Sequence, residues 1–371
     1  MIPFRYGSVV TGKFFYGRDN EIKLLTEYIK SSQNCVLYGE RRIGKTSLVY
    51  ETINRLGSKY LPINIDLMGV KSLDDICRRM INRILVTKWN ASAFQQILSF
   101  LSSLRPQISI DPITNLPTVS LDISQRLNNE TLEYIFRIVD ELSKKKNIII
   151  FFDEFQDILN LKDSKQIVAI LRGKIQLQTN VPYIYAGSVM KSMINIFTGS
   201  DSPFFKSAIP MDIQPIPKEE TKIFVSKTFK ADGRILPEQL FDKIYNLSGG
   251  ITGDIQQLCE ALWNVTDRKS SLKSLDLVNA VNLILGREKN SYEQAISNIT
   301  SFQFNVLLAL AKHGGKEIYG NDFMMKSGFT NASSVRSGIT KLLDLKLICH
   351  YKNEYKFINP FFALWLKINR C

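Results

Sequence analysis

Residues 38–49 read YGERRIGKTSLV, and the eight residues from Gly39 to Thr46 fit G-x-x-x-x-G-K-[ST] at every fixed position. Each fixed residue answers a demand made by a polyphosphate. The glycines let backbone N–H groups curl around anionic oxygens, Lys45 reaches the β and γ oxygens, and the Thr46 hydroxyl ligates Mg²⁺. A helix has to follow, so that its positive N-terminal end faces the anion, and TSLVYETINRL has helical spacing. The strand-like NCVLY precedes it. Both contexts point to a triphosphate-binding turn, with Gly39, Glu40, Arg41, Arg42, Ile43, Gly44, Lys45, Thr46 and Ser47 expected around the nucleotide. For Arg41 and Arg42 two readings stay open: contact with phosphate or a neighbouring subunit, or a solvated surface.

Such a turn needs acidic groups at the end of a neighbouring strand. IIIFFDEF, residues 148–155, supplies them. Asp153 is expected in the Mg²⁺ shell beside Thr46, and Glu154 is expected to polarise water for in-line attack on the γ-phosphate.

Outward from these two stretches, strand-length apolar runs at 34–38, 61–66, 147–153, 181–188 and 208–214 alternate with amphipathic segments at 45–56, 72–87, 130–143 and 164–178. This βαβ rhythm predicts a doubly wound α/β domain with a parallel sheet. Residues 88–128 interrupt it with a helix-like piece and PQISIDPITNLPTVSLDI, which reads as a β-hairpin insertion. From 215 the strand signals stop. Helices are expected after PIPK, over 237–247, 253–266 and 274–286, forming a small helical domain. Beyond 297, three helical segments and the closing CHYKNEYKFI predict a winged helix-turn-helix.

In that last module Val335, Ile339, Leu342, Leu343 and Leu345 define an apolar helix face. Ser334, Arg336, Ser337, Thr340 and Lys341 fall on the exposed side, and the wing adds Lys352 and Lys356. These residue types suit phosphate and base-edge contacts, so double-stranded DNA is one expected partner, and a protein-packing module is the other reading. The aromatic NPFFALWLKI is expected to dock back onto its own domain.

The 371 residues carry 44% apolar and 22% charged side chains with a net charge of +13, an ordinary globular composition with a bias toward acidic partners. No membrane-length apolar run and no signal-peptide pattern occurs, so a cytoplasmic address is expected. Cys35, Cys77, Cys259, Cys349 and Cys371 form no CxxC pair, which argues against a disulfide framework or a zinc site. With only His313 and His350, both near the C-terminus, histidine-based chemistry is not indicated.

At these motifs the chain resembles the additional-strand P-loop ATPases, and within them the archaeal and bacterial ATPases grouped with the STAND and Orc1/Cdc6-like AAA+ proteins. FFYGRDNEIKLL at 14–25 is similar to the family's h-h-G-R-x-x-E opening, which implies that Gly17 and Arg18 lie beside the adenine. YIYAGS at 183–188 resembles the fourth core strand, which implies that Ser188 reads the γ-phosphate. LSGGITGDIQQL at 247–258 resembles the lid motif, with Thr252 in place of a common proline and Gln256 or Gln257 where a Cdc6-like lid offers a sensor arginine.

The resemblance implies an AAA+-like P-loop NTPase core over residues 1–215 with the 88–128 insertion, a helical lid over 216–290 and a winged helix over 297–371. It also implies ATP/ADP and Mg²⁺ as ligands. Three functions follow as expectations. The first is an ATP-hydrolysing switch whose lid closure moves the winged helix, with self-association or a partner protein. The second is an oligomeric DNA motor or loader completed by an arginine of the next subunit, with Arg172 the candidate. The third is a nucleotide-binding scaffold with little hydrolysis.

Overall fold

A computed structural model describes residues 2–87, 128–188, 190–351 and 353–370, together with 89, 94, 95, 97, 99 and two short strands at 107–110 and 117–120. The remainder of the 88–128 insertion, including most of its helix-like piece and its turn, lies outside the described residues, as do Lys352 and Cys371. The chain divides into two compact units. One comprises Arg18–Glu40 and Lys45–Gln214, and the other Met1–Gly17, Arg41–Gly44 and Pro215–Cys371.

The first unit is built on a parallel sheet of β1 (Cys35–Tyr38), β2 (Tyr60–Asp66), β5 (Asn147–Asp153), β6 (Tyr183–Gly187) and β7 (Ile209–Asp212), in the order β2-β5-β6-β1-β7. Strands covered on both faces read as unbroken apolar runs, and Ile148 to Phe152 and Tyr183 to Gly187 are all buried. Helix α1 (Asp19–Lys30) precedes β1, and the crossovers are the helices α2 (Lys45–Leu56), α3 (Leu73–Val86), α4 (Asn129–Ser143), α5 (Ser164–Ile175) and α6 (Met190–Thr198). Ser72 caps α3 by accepting from Asp75 N, and Asn128 caps α4 in a reciprocal box with Thr131.

Register brings the motif-bearing strand ends level. Tyr38 pairs with Gly187 of β6, Phe152 pairs with Tyr185 of β6, and Asp66 pairs with Asp153, so the glycine-rich turn and the acidic terminus open from the same carboxyl edge. β6 separates β1 from β5, which is the additional strand expected from the sequence. Beneath that edge, Phe152, Phe155, Tyr183, Tyr185, Phe197 and Phe204 form a buried aromatic cluster. In the insertion, β3 (Gln107–Ile110) and β4 (Pro117–Ser120) pair antiparallel, as a hairpin requires.

The second unit holds the helices α7 (Lys218–Lys230), α8 (Glu238–Leu247), α9 (Thr252–Val265), α10 (Ser274–Ser297), α11 (Ser301–His313), α12 (Asn321–Ser327) and α13 (Ala332–Asp344). A two-stranded wing follows, β8 (Ile348–Tyr351) and β9 (Glu354–Phe357), and α14 (Pro360–Asn369) closes the chain. Two details differ from the sequence reading. Residues 2–17 cluster with this unit and not with the sheet, because Phe4 packs on Phe229 and Trp263 while Tyr16 stacks on Phe224 at 3.9 Å.

Helix α10 also runs past 286 to Ser297. Gly286 has open space on its Cβ side, and its propensity cost of about 1 kcal/mol is offset by a buried stripe of Leu277, Val281, Ile284 and Leu285 continued by Tyr292. The aromatic C-terminus does dock on its own unit, with Phe361, Phe362, Trp365 and Leu366 buried in α14. Among the described residues, no helix is long and apolar enough to cross a membrane.

Candidate nucleotide site

The turn after β1 has the backbone that its glycines permit. Gly44 lies at φ +101, and a Cβ there would project into open space above the loop. A Cβ on Gly39 would sit 2.5 Å from the Ile213 carbonyl oxygen, which is backbone and cannot step aside. Lys45, the first residue of α2, is only 6% exposed, and its ammonium donates to Gly39 O at 3.1 Å and Glu40 O at 3.0 Å. A positive charge is thereby held within the loop beside the first turn of α2, where anionic oxygens are expected.

Thr46 Oγ1 donates to Asp153 Oδ2 at 2.7 Å, joining the helix after the loop to the end of β5. Hydroxyl plus carboxylate is the hard-oxygen pair that Mg²⁺ takes, with phosphate and water completing its shell. Asp153 supports that fit. Burial raises its carboxyl above the ordinary aspartate range and the charges of Glu154 and Asp66 add to the rise, while the hydrogen bonds from Thr46 and Glu154 N oppose it. A divalent cation here would relieve all three carboxylates.

Glu154 occupies the left-handed region at φ 49°, ψ 43°, a conformation that costs a non-glycine residue on the order of 1 kcal/mol and is typical of functional turns. This turn aims its carboxylate at β6, where Oε2 accepts from Ser188 Oγ at 2.7 Å and from Gln156 Nε2 at 2.5 Å. Gln156 is buried and donates also to Asp157 Oδ1 at 3.2 Å, while Asp157 Oδ2 accepts from Gly69 N at 2.8 Å. Room for Gln156 comes from Gly187, where an added methyl would overlap Gln156 Oε1 and lie 2.5 Å from Met193 Cγ.

Within the first unit the structure therefore brings together Gly39, Glu40, Lys45, Thr46, Asp153, Glu154 and Ser188. Ser47 lies half-buried in the first turn of α2. Arg18 is buried and pairs with Glu21 at 2.8 Å. Gly17 belongs to the second unit, where at φ +66 it would meet Ile216 Cγ2 at 2.5 Å if it carried a Cβ.

In the second unit Arg41 is exposed, Ile43 is buried, and Arg42 is engaged by residues of α9: its guanidinium pairs with Asp254 and donates to Gln257 Oε1 at 2.7 Å. At Gln256 or Gln257, where the resemblance leads to the expectation of a sensor arginine, α9 instead presents an acceptor to an arginine of the loop. Also in this unit, Ser334, Arg336, Ser337, Thr340 and Lys341 are exposed on α13, and Lys356 is half-buried on β9. The Arg336 guanidinium lies 5.3 Å from the Tyr319 ring, and Tyr319 OH is 3.5 Å from Tyr355 OH of the wing.

Sequence reasoning missed Gln156, Asp66 and Asp254. Nothing in the sequence announces that Glu154 is left-handed, which is what turns Gln156 toward it. Asp66 was accessible, since LPINID ends on a carboxylate just as NIIIFFD does.

Comparison with known proteins agrees with this geometry. Residues 15–258 match the model of an ATPase domain predominantly from Archaea, and residues 290–368 match that of a probable winged helix domain. An uncharacterised ATP-binding protein of Pyrococcus horikoshii is 29% identical over 162 residues, 42% of this chain and 47% of that protein, so the match spans about half of the relative's length. The fold is similar to the Walker-type ATPase of Pyrococcus abyssi, with a TM-score of 0.68 at 19% identity over 98% of this chain and 99% of that one. It is also similar to the Aeropyrum pernix Orc1 protein, solved in complex with DNA, with a TM-score of 0.54 at 12% identity over 96% and 93% of the two chains. A phosphate turn and an acidic strand end flank an additional strand, and the family match covers most of the chain; this protein belongs to the P-loop ATPase-domain family found predominantly in Archaea.

Proposed function

We propose that the protein hydrolyses ATP and acts as a nucleotide-dependent conformational switch of the AAA+/STAND kind. The observation that carries this reading is the convergence of Lys45, Thr46, Asp153, Glu154 and Ser188 on one carboxyl edge, linked by the Thr46–Asp153 and Ser188–Glu154 hydrogen bonds. Lys45 would leave the loop carbonyls for the β and γ oxygens, which bind a cation far better than neutral carbonyls do. Thr46 and Asp153 would hold Mg²⁺, whose charge neutralises the phosphate oxygens when it is bound. Gly17 and Arg18 are assigned to the adenine end, and Glu40, Arg41, Ile43, Gly44 and Ser47 to the phosphate cradle.

Glu154 is the residue for polarising the attacking water. With its carboxylate held by Ser188 and Gln156, it is restrained in this structure. A γ-phosphate that takes the Ser188 hydroxyl would release the carboxylate on that side while Gln156 goes on orienting it toward water, so Ser188 would report the triphosphate to the base. The test is phosphate release by wild type and by Glu154→Gln. The variant is expected to bind MgATP and to lose turnover by about 10²-fold or more. Normal turnover by the variant would remove Glu154 from this role.

A second reading, contact with double-stranded DNA, is favoured by one observation. Arg336 and the Tyr319–Tyr355 pair tie the exposed face of α13 to the wing, presenting Ser334, Arg336, Ser337, Thr340, Lys341 and Lys356 on a single winged-helix module. The Orc1 relative solved with DNA lends it support. Reversing Arg336 and Lys341 to glutamate should abolish a salt-dependent DNA affinity, and each lost phosphate contact should lower the salt slope by about 1. Unchanged affinity would leave the module to protein contacts.

A further inference from the structure

Residues 41–44 of the phosphate loop cluster with the helical unit, and the contact responsible is polar and continuous. Arg42, itself left-handed at φ 64°, accepts from Gly253 N at 3.0 Å through its carbonyl, pairs with Asp254 through its guanidinium, and donates to Gln257 Oε1 at 2.7 Å. The other end of the same Gln257 amide donates to Glu288 Oε1 of α10 at 2.5 Å. Glu288 Oε2 in turn accepts from Tyr292 OH at 2.6 Å and from Asn359 Nδ2 at 2.7 Å. Asn359 is the N-cap of α14: its Oδ1 accepts from the amides of Phe361 at 2.9 Å and Phe362 at 3.3 Å.

Two side chains, Gln257 and Glu288, thus lead from a phosphate-loop arginine to Asn359, the cap of the last helix of the winged-helix domain. Asp254 and Gln257 are 2% and 3% exposed, so neither can exchange its partner for water without cost. Burial, reinforced by Glu288, raises the Tyr292 hydroxyl well above the ordinary tyrosine range, which keeps it a donor to that carboxylate.

We propose that Arg42 is a phosphate sensor shared between the nucleotide and α9, and that Gln257, Glu288 and Asn359 carry its position to α14. This rests on the reading of the loop as an ATP site and goes beyond it by naming the route. A phosphate on the loop would carry the charge to compete with Asp254 for the guanidinium. When Arg42 moves toward it, buried Asp254 loses its cation and Gln257 loses its donor, so α9 has to readjust. Glu288 shares the Gln257 amide and therefore shifts its hold on Asn359. Linkage makes the coupling reciprocal: a winged-helix partner whose affinity the nucleotide changes alters nucleotide affinity by the same factor.

Gly253 makes this testable without replacing any residue of the loop. It sits in the first turn of α9, and a Cβ there would meet Arg42 Cβ at 2.9 Å and Arg42 O at 3.0 Å. Alanine favours the helix while displacing the arginine, so Gly253→Ala separates helix stability from the relay. Glu288→Ala is the second variant, cutting the chain at its middle.

Hydrogen–deuterium exchange at the Phe361 and Phe362 amides is the readout, with calorimetric titration of MgADP and of a non-hydrolysable MgATP analogue on the same samples. Without nucleotide, both variants should exchange these amides about fivefold faster or more than wild type. With nucleotide, wild type should shift by a similar factor, while the variants bind the nucleotide and show no further shift. Wild-type exchange in both nucleotide-free variants, or a wild-type nucleotide response in either, would overturn the relay. Absence of nucleotide binding by wild type would instead strike the ATP reading, and the nucleotide-free comparison would still decide the relay.

Discussion

Replacing Gln156 by leucine separates what that residue does for packing from what it does for Glu154. The change removes the donor that serves both Glu154 Oε2, in a charge-assisted bond of 2.5 Å, and Asp157 Oδ1, at 3.2 Å, a loss of about 1.5–3 kcal/mol taken together. It also removes Gln156 Oε1, a buried acceptor with no hydrogen-bond partner among the described residues, whose desolvation costs about 1–3 kcal/mol. The two effects offset, so unfolding free energy should change by less than about 1 kcal/mol and the thermal midpoint by no more than about 2–4 °C. Hydrolysis should respond differently. Among the described residues Glu154 then keeps Ser188 alone as a side-chain donor, and a base that has lost one of its two supports should lose about tenfold or more in kcat, or roughly 1.4 kcal/mol of barrier. KM for ATP should stay within about twofold, since the Gly39–Lys45 loop is untouched. Phosphate release and thermal denaturation in EDTA measure the two arms. A variant that is clearly destabilised yet turns over normally per folded molecule would refute the assignment and leave Gln156 a packing residue.

Two further outcomes follow from the same edge of the sheet. Because the folded-state pKa of Asp153 is raised, chiefly by burial, its contribution to stability is fully present below the unfolded pKa and is lost as pH rises through the folded value. Asp153→Asn in EDTA should therefore be more stable than wild type at neutral pH, with the difference shrinking toward pH 4 as wild type protonates; thermal midpoints across that range would expose the opposite trend. Gly39→Ala should destabilise the sheet unit by about 1–3 kcal/mol, since its methyl meets the Ile213 carbonyl oxygen at 2.5 Å beside the Ile213 N to Tyr38 O bond of 2.8 Å; an unchanged denaturant midpoint would show that β7 gives way freely.

The elements most legible in the sequence are those whose spacing is dictated locally. NCVLY, NIIIFFD and YIYAG are unbroken apolar runs because parallel strands are covered on both faces, and they appear as β1, β5 and β6 within a residue or two of the expected bounds. The glycine turn was readable because its backbone conformations leave few residue choices. Less legible were features that depend on a partner distant in sequence. The extent of α10 follows from a buried stripe that outweighs Gly286, and the placement of residues 2–17 follows from Phe4 and Tyr16 finding aromatic neighbours more than two hundred positions away. The engagement of Arg42 by Asp254 and Gln257 was invisible for the same reason: a lid glutamine at an arginine position is legible as a departure, but not as an acceptor for the loop.

The central claim is that Lys45, Thr46 and Asp153 hold one metal-bound nucleotide. Calorimetric titration of ATP with and without Mg²⁺ into wild type and Lys45→Ala tests it most directly. The account predicts saturable, Mg²⁺-dependent binding by wild type and a loss of at least about a hundredfold, on the order of 3 kcal/mol, in the folded variant. Equal affinity in the two proteins, or wild-type binding indifferent to Mg²⁺, would contradict it.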